Sequence, residues 1–381
     1  MARLGKLEVK EQNLLVTLQD FFKILLQKGE IKALLVPQRL PMKNVVMPTL
    51  VTDPEKLTAV DCLAPVFPLN AAKAVSRLTR RSIQGPVAAV LRPCEMRAFV
   101  ELVKLKQGRA DDVIFIVTDC LGAYGNVNYT RFVGPDAAAA TLGFVDKALA
   151  GQDTACQDFD LSPACKSCEH PLAEKADLQI GLLGLDVKKE LLIKANTPKG
   201  EELLQKLGLE EGMEPAGRKG AVEALVAKRT AYRDRMFQET GDAVKDLTKL
   251  TTYFANCVNC YNCRVACPVC YCKECVFVTD VFDHEPDQYL RWAKRKGILK
   301  MPTDTTFFHL TRLAHMSTAC IGCGQCSNAC PNQIPVMELF RTIAHFTQAS
   351  FEYEAGRSLE EEPPLSVFRE KEFAEVTEGK H

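Results

Sequence analysis

The stretch Cys257–Cys275, CVNCYNCRVACPVCYCKEC, puts seven thiols into nineteen residues. Its first four cysteines, Cys257, Cys260, Cys263 and Cys267, are followed by Pro268. The same C-x-x-C-x-x-C-x-x-x-C-P spacing returns 63 residues later as Cys320, Cys323, Cys326, Cys330 and Pro331. Three cysteines spaced three apart on a turning loop reach three corners of one [4Fe–4S] cube. The fourth, four residues on, starts a helix, points away and serves the other cube. The spacing therefore assigns Cys257, Cys260, Cys263 and Cys330 to one cluster, and Cys320, Cys323, Cys326 and Cys267 to a second. Each proline ends a tight loop and lacks a donor N–H. Zinc would want its four ligands as two C-x-x-C pairs, and two triplets with an offset fourth are a different pattern.

Three thiols of the opening stretch remain. Cys270, Cys272 and Cys275 are one short of the set a further cube needs, and a distant cysteine such as Cys156 is a candidate to complete it. The other reading is packing thiols or alternative ligands, since C-x-C-x-x-C specifies no particular metal. Between the two copies lie DHEPDQYLRWAKRKG and TTFFHLTRLAHM, both helix-like, carrying His284, His309 and His315. Histidines so placed are more often core or surface residues than ligands.

Composition narrows the class. A chain of 381 residues implies two or three domains as a soft prior, and 47% apolar content is enough for a sizeable core. Lys plus Arg and Asp plus Glu number 48 each, so no net field draws the chain to nucleic acid or a membrane surface. The N-terminus, MARLGKLEVKEQN, lacks the apolar core of a signal peptide. No apolar run approaches the roughly 18 residues that span a bilayer. The expectation is a soluble, cytoplasmic protein with no membrane span. Thiols stay reduced there, so seventeen cysteines, eleven of them between Cys257 and Cys330, point to metal or redox chemistry.

The first part of the chain reads as α/β. EQNLLVTLQDFFKILLQKG has helical spacing, and IKALLVP reads as a strand stopped by Pro37. PVAAVLRP, EMRAFVELVKLKQG and DDVIFIVTDC give strand, helix, strand, which implies a parallel pair. PDAAAATLGFVDKALAG is a helix with Pro135 in its first turn. ADLQIGLLG and KELLIKAN read as paired strands, and KGEELLQKLG as a helix. LEEGMEPAGRKG is a linker candidate before the helix AVEALVAKRTAYRDRMFQET. Three units result: an α/β domain with a mainly parallel sheet (1–235), a helical, loop-rich ferredoxin-type dicluster domain (236–350) and a polar tail (351–381).

Six cysteines precede the repeat. Cys94 follows one strand and Cys120 ends the next. The carboxyl ends of parallel strands open onto a ligand crevice, so these thiols can meet there. With the C-x-x-C of Cys165 and Cys168 they are four possible ligands for a further cluster. Cys62 has no partner motif and reads as core.

The segments RPCEMRA, TDC and CKSCEHPLAEKADLQIGLLGLD resemble the coenzyme F-420 hydrogenase/dehydrogenase beta-subunit family. The match lies at Pro93-Cys94, Cys120, Cys165, Cys168, Ala176-Asp177 and Gly181, and covers roughly residues 30–235. The appended region, with ACPVCYCKEC and FHLTRLAHMSTACIGCGQC, is similar to longer members of that group. The resemblance implies FAD beside one [4Fe–4S] cluster held by Cys94, Cys120, Cys165 and Cys168. The family often has Gly-Thr before its Pro-Cys, where this chain has Leu91-Arg92. An arginine there would place positive charge near a flavin, and Arg92, with Arg97 further along the same segment, is a candidate flavin neighbour. No G-x-G-x-x-G with a following acidic residue marks other flavin contacts, and no catalytic residue is assigned.

The function expected from these readings is an iron–sulfur flavoprotein subunit. It would pass electrons between a hydride-carrying coenzyme, F-420 or NAD(P)H, and the [4Fe–4S] carriers of a partner oxidoreductase. That partner would be a formate dehydrogenase, a hydrogenase or a heterodisulfide-reductase-like flavoprotein. Three cubes are expected, or four if Cys270, Cys272 and Cys275 take part. The alternatives are a flavin-free iron–sulfur wiring subunit and a zinc-stabilised interaction module.

Overall fold

The computed structural model describes residues 3–41, 45–80, 85–111, 113–272, 274–279, 285–296 and 304–367. Among these, eight strands form one sheet: β1 (Leu4–Glu8), β2 (Ala33–Arg39), β3 (Val46–Val51), β4 (Val87–Leu91), β5 (Val113–Thr118), β6 (Leu178–Gly181), β7 (Glu190–Ala195) and β8 (Glu210–Glu211). Their spatial order is β3-β2-β4-β5-β6-β7-β1-β8. Strands β2, β4, β5 and β6 make the parallel centre, and the flanking pairs are antiparallel. The sheet domain also holds α1 (Leu14–Gln27), α2 (Ala72–Thr79), α3 (Pro93–Lys104), α4 (Asn126–Phe132), α5 (Ala137–Leu149), α6 (Pro163–Lys166) and α7 (Pro198–Leu207). Then follow α8 (Arg218–Ala243), α9 (Leu247–Tyr253), α10 (Asn262–Ala266), α11 (Pro286–Lys296), α12 (Asp304–Met316), α13 (Gln325–Asn328) and α14 (Val336–Ser350).

A parallel sheet is buried on both faces, so its strands are apolar throughout. In β4, Ala88 and Val90 face the core of α1, α5 and α7, while Ala89 and Leu91 face that of α2 and α3. Three local expectations need correction. Pro37 does not stop β2, which runs on to Arg39. Its missing N–H costs little there, because β2 pairs with β4 only over Ala33–Leu35 and beyond that runs on β3 with a single bridge from Gln38 to Val60. Pro135 lies outside α5, whose N-cap is Asp136, accepting from the amides of Ala138 and Ala139. Helix α3 starts at Pro93 rather than Glu95, so Cys94 sits in its first turn.

Three buried carboxylates pin the sheet and the turns that carry the cysteines. Asp119, fully buried, accepts from Arg218 at the start of α8 (2.6 and 3.0 Å), from Gln179, and from the amides of Leu182 and Leu183. Asp177 accepts from the Phe115 amide (2.8 Å) and the Thr197 hydroxyl, joining β5 to the start of α7. Glu95 accepts from the amides of Ala71 (2.7 Å) and Arg92 (2.8 Å), which fixes the turn entering α3.

The long α8 crosses the 235/236 boundary without a break and packs on α14 and α6. After α14 the chain returns to the sheet domain. Phe351, Tyr353 and Ala355 are buried against α3. The Tyr353 hydroxyl donates to Glu101 and the Gly356 amide to the same carboxylate at 2.7 Å. The segment 351–381 thus begins with a docked stretch.

Candidate metal centres

The cysteine repeat is a repeat of backbone as well as of spacing. In the second copy Gly322 and Gly324 take left-handed φ of 68° and 78°. The equivalent places in the first copy are Asn259 and Tyr261, at φ 51° and 58°. This alternation turns the loop in the same way in both copies. The second copy needs glycine for a further reason. A Cβ on Gly324 would stand 2.4 Å from Ala164 Cβ on α6, and one on Gly322 would stand 2.8 Å from Arg341. Gly324→Ala is therefore expected to destabilise the protein by at least about 1–3 kcal/mol, read as a lowered urea midpoint with an unchanged slope. No change would mean that this loop does not sit tightly on α6.

Each of the three predicted sets is brought together. Cys257, Cys260, Cys263 and Cys330 line one largely apolar pocket with Phe308 and His309. Cys320, Cys323 and Cys326 lie near enough to Cys267 for its charge to act on all three. Cys94, Cys120, Cys165 and Cys168 line a third pocket, and Cys323 forms part of its wall. Burial pushes the Cys320 thiol up to about 11 and those of Cys94 and Cys326 well above the usual range. Thiolates crowded in such surroundings call for a compensating cation, which a metal centre supplies. Among the described residues, no three His, Cys, Asp or Glu side chains close on a single-ion site. Zinc would need sulfurs roughly 3.8 Å apart, given its 2.3 Å bonds in a tetrahedron.

The remaining thiols scatter. Cys62 is buried core, its thiol raised to about 12 by burial. Cys156 packs against the sheet core beside Phe159. Cys270 lies near Cys267 and Lys73, Cys272 is exposed, and Cys275 packs with Phe277 and Phe308. Cys156 therefore belongs to a different core from Cys270 and Cys275. Arg92 is turned into the third pocket, its guanidinium donating to the carbonyls of Ala64 and Val66 at 2.7 Å. Arg97 donates to Ala355 O at 2.7 Å. It lines a separate cavity of about 450 Å³ with His170, Phe237, Cys320, Ile321 and Arg341.

His284 lies outside the described residues, and for His315 the structure offers no role. His309 is different. Its ring is buried, stacks on Phe254 at 3.8 Å, and places Nε2 3.4 Å from Cys257 Sγ. One turn on, Arg312 donates to Cys263 Sγ at 3.1 Å. Arg312 escaped the sequence reading. The available signal was an H-x-x-R pair on the helix between the two cysteine clusters.

Residues 253–334 match the family model for a 4Fe-4S dicluster domain. Over 345 residues the chain is 26% identical to the F420-dependent formate dehydrogenase subunit beta of Methanocaldococcus jannaschii, covering 84% of this chain and 86% of that protein. It is 26% identical over 374 residues to the F420-dependent formate dehydrogenase 1 subunit beta of Methanococcus maripaludis, covering 90% and 91%. A chain of the F420-reducing [NiFe] hydrogenase complex from Methanosarcina barkeri, in a xenon-derivatized form, overlays on 65% of this chain and 94% of its own length, with TM-score 0.45 and 14% identity. Among the described residues no helix is long and apolar enough to cross a membrane.

A 4Fe-4S dicluster region joined to an α/β domain with cysteines at its strand ends defines an iron–sulfur electron-transfer protein. Within that class the chain resembles the coenzyme F-420 hydrogenase/dehydrogenase beta-subunit family over most of its length, with a ferredoxin-type region appended.

Proposed function

We propose that this chain is the iron–sulfur flavoprotein subunit of a multi-subunit oxidoreductase, relaying electrons between a hydride-carrying coenzyme and a partner's one-electron carriers. The observation that carries the reading is the contiguity of the three thiol sets. The N-terminal four share a wall with Cys323, Cys323 belongs with Cys267, and Cys267 lies on the same loop as Cys257, Cys260 and Cys263. The donor chemistry fits [4Fe–4S] groups: four thiols per set, two of the sets in apolar pockets, with Arg92, Arg229 and Arg312 nearby as counter-charges. Bound there, such clusters would carry single electrons, and FAD would exchange a pair as hydride on one side and single electrons on the other.

The cavity beside Arg97 is the candidate flavin site. It lies between His170, two residues after Cys168, and Cys320. Phe237, Ile321 and Ala344 give it an apolar side for a ring, and Arg97, Arg341 and Arg357 give it cations for phosphates. The names of the relatives favour F-420 as the hydride coenzyme and a formate dehydrogenase as the complex.

The flavin-free wiring reading has its own support. Arg341 is already engaged by Ser167 and Glu169, and Arg97 by Ala355 and Glu354. Anaerobic purification with iron, sulfide and flavin counted per chain separates the two. The expected result is about twelve irons, from three cubes, with one FAD. Twelve irons without flavin leaves the wiring reading. About eight removes the N-terminal centre, and about sixteen brings in Cys270, Cys272 and Cys275. Zinc in place of iron and sulfide would overturn both readings.

A further inference from the structure

We propose that Arg312, assisted by His309, is an electrostatic positioning residue that raises the reduction potential of the centre at Cys257, Cys260, Cys263 and Cys330. The proposal rests on the cluster reading above.

Arg312 is 4% exposed. Its guanidinium sits between the rings of Phe308 and Phe340, at 5.5 and 4.7 Å from their centroids. One terminal nitrogen donates to Cys263 Sγ at 3.1 Å and the other to Cys263 O at 3.3 Å. Nε has no partner. Among the described residues no carboxylate makes an ion pair with Arg312. The groups that act on its charge are the thiols of Cys263, Cys267, Cys326 and Cys270. A guanidinium stays protonated at any ordinary pH, and burying it without an anion is strongly unfavourable. The anion for which this site is built is therefore sulfur.

The placement has a redox consequence. When a centre held by four thiolates accepts one electron from its neighbour, it becomes one unit more negative and the neighbour one unit less so. A fixed cation in contact with the acceptor's ligand favours the reduced form over the oxidised one, and a low-dielectric site enlarges the difference. Arg312 hydrogen-bonds a ligand of the first set, whereas on Cys267, Cys320 and Cys326 of the second its charge acts without a hydrogen bond among the described residues. The direct contact with Cys263 therefore biases the acceptor more than the neighbour. His309 acts in the same sense. It lies one turn earlier on α12, on the same face, and its stack on Phe254 fixes the ring while Nε2 points at Cys257 Sγ. In the tautomer with its proton on Nε2, the ring donates to Cys257 Sγ and stabilises the more negative sulfur.

The test is an anaerobic redox titration followed by electron paramagnetic resonance on the full chain. The signal of this centre is identified as the one lost in Cys260→Ser. Arg312→Gln should lower its reduced-to-oxidised ratio at fixed potential at least tenfold, about 59 mV for one electron. The N-terminal centre should stay within twofold. Arg312→Lys keeps a cation and should recover at least half of the shift. His309→Phe keeps the stack, loses the N–H and should shift the ratio about threefold. Arg312→Gln and His309→Phe that retain full iron and stay within twofold of wild type overturn the proposal and leave the cluster reading standing. If Arg312→Gln fails to load iron, His309→Phe decides alone by the same criterion. A wild-type chain without iron sinks the cluster reading itself.

Discussion

Cys323→Ser is expected to remove about four of the roughly twelve irons and to abolish electron passage from the hydride coenzyme to an external acceptor. Cys260→Ser should cost the same amount of iron and also stop delivery to the acceptor, yet with a different pattern behind the block. Cys260 is exposed, in the outermost set, so the N-terminal and middle centres should still bleach on adding the reduced coenzyme. Cys323 lies in the wall between the N-terminal pocket and the middle set. Its loss should leave only the N-terminal centre reducible from the coenzyme side. Stopped-flow absorbance in the 400 nm region, scaled to iron content, distinguishes the two. Equal bleaching in both variants would contradict the order of centres, and full colour with normal passage in either would remove the assignment.

Asp119→Ala should be the most destabilising change away from the cysteines. It leaves Arg218, 3% exposed, without its buried partner, and releases the amides of Leu182 and Leu183. Breaking a buried pair from one side costs roughly 3–5 kcal/mol, which a urea titration would register. Asp119 directly precedes Cys120, so the same variant should lose N-terminal iron while keeping the dicluster signals. An unchanged midpoint would show that the Asp119–Arg218 pair does not hold the end of β5.

Much of this was legible in the sequence because ligand spacing is a local property. Four cysteines within eleven residues can present their thiols in few ways, so the two sets of the repeat followed from counting. The N-terminal set needed the parallel β4–β5 pair, which strand–helix–strand order supplied. Other parts left no local trace. Strand β1 (LGKLE) buries little beyond Gly5, so it lacks the alternation that marks a strand. Strand β3 contains Pro48, which argues against a strand until its edge position is known. Arg341 reaches Ser167 and Glu169 across 174 and 172 residues, and Arg312 meets the Phe340 ring only after α12 and α14 have packed. Such partnerships belong to the tertiary fold.

The return of residues 351–356 to α3 adds to the contacts that already join the two halves of the chain, α8 on α14 and α6, Arg341 on Ser167 and Glu169, and Gln325 and Asn328 on Phe67. Bodies held at several separated points have little room to swing. On the relay proposed above, the spacing beside Cys323 is thereby held fixed, and slack is left to the outer rim around exposed Cys260.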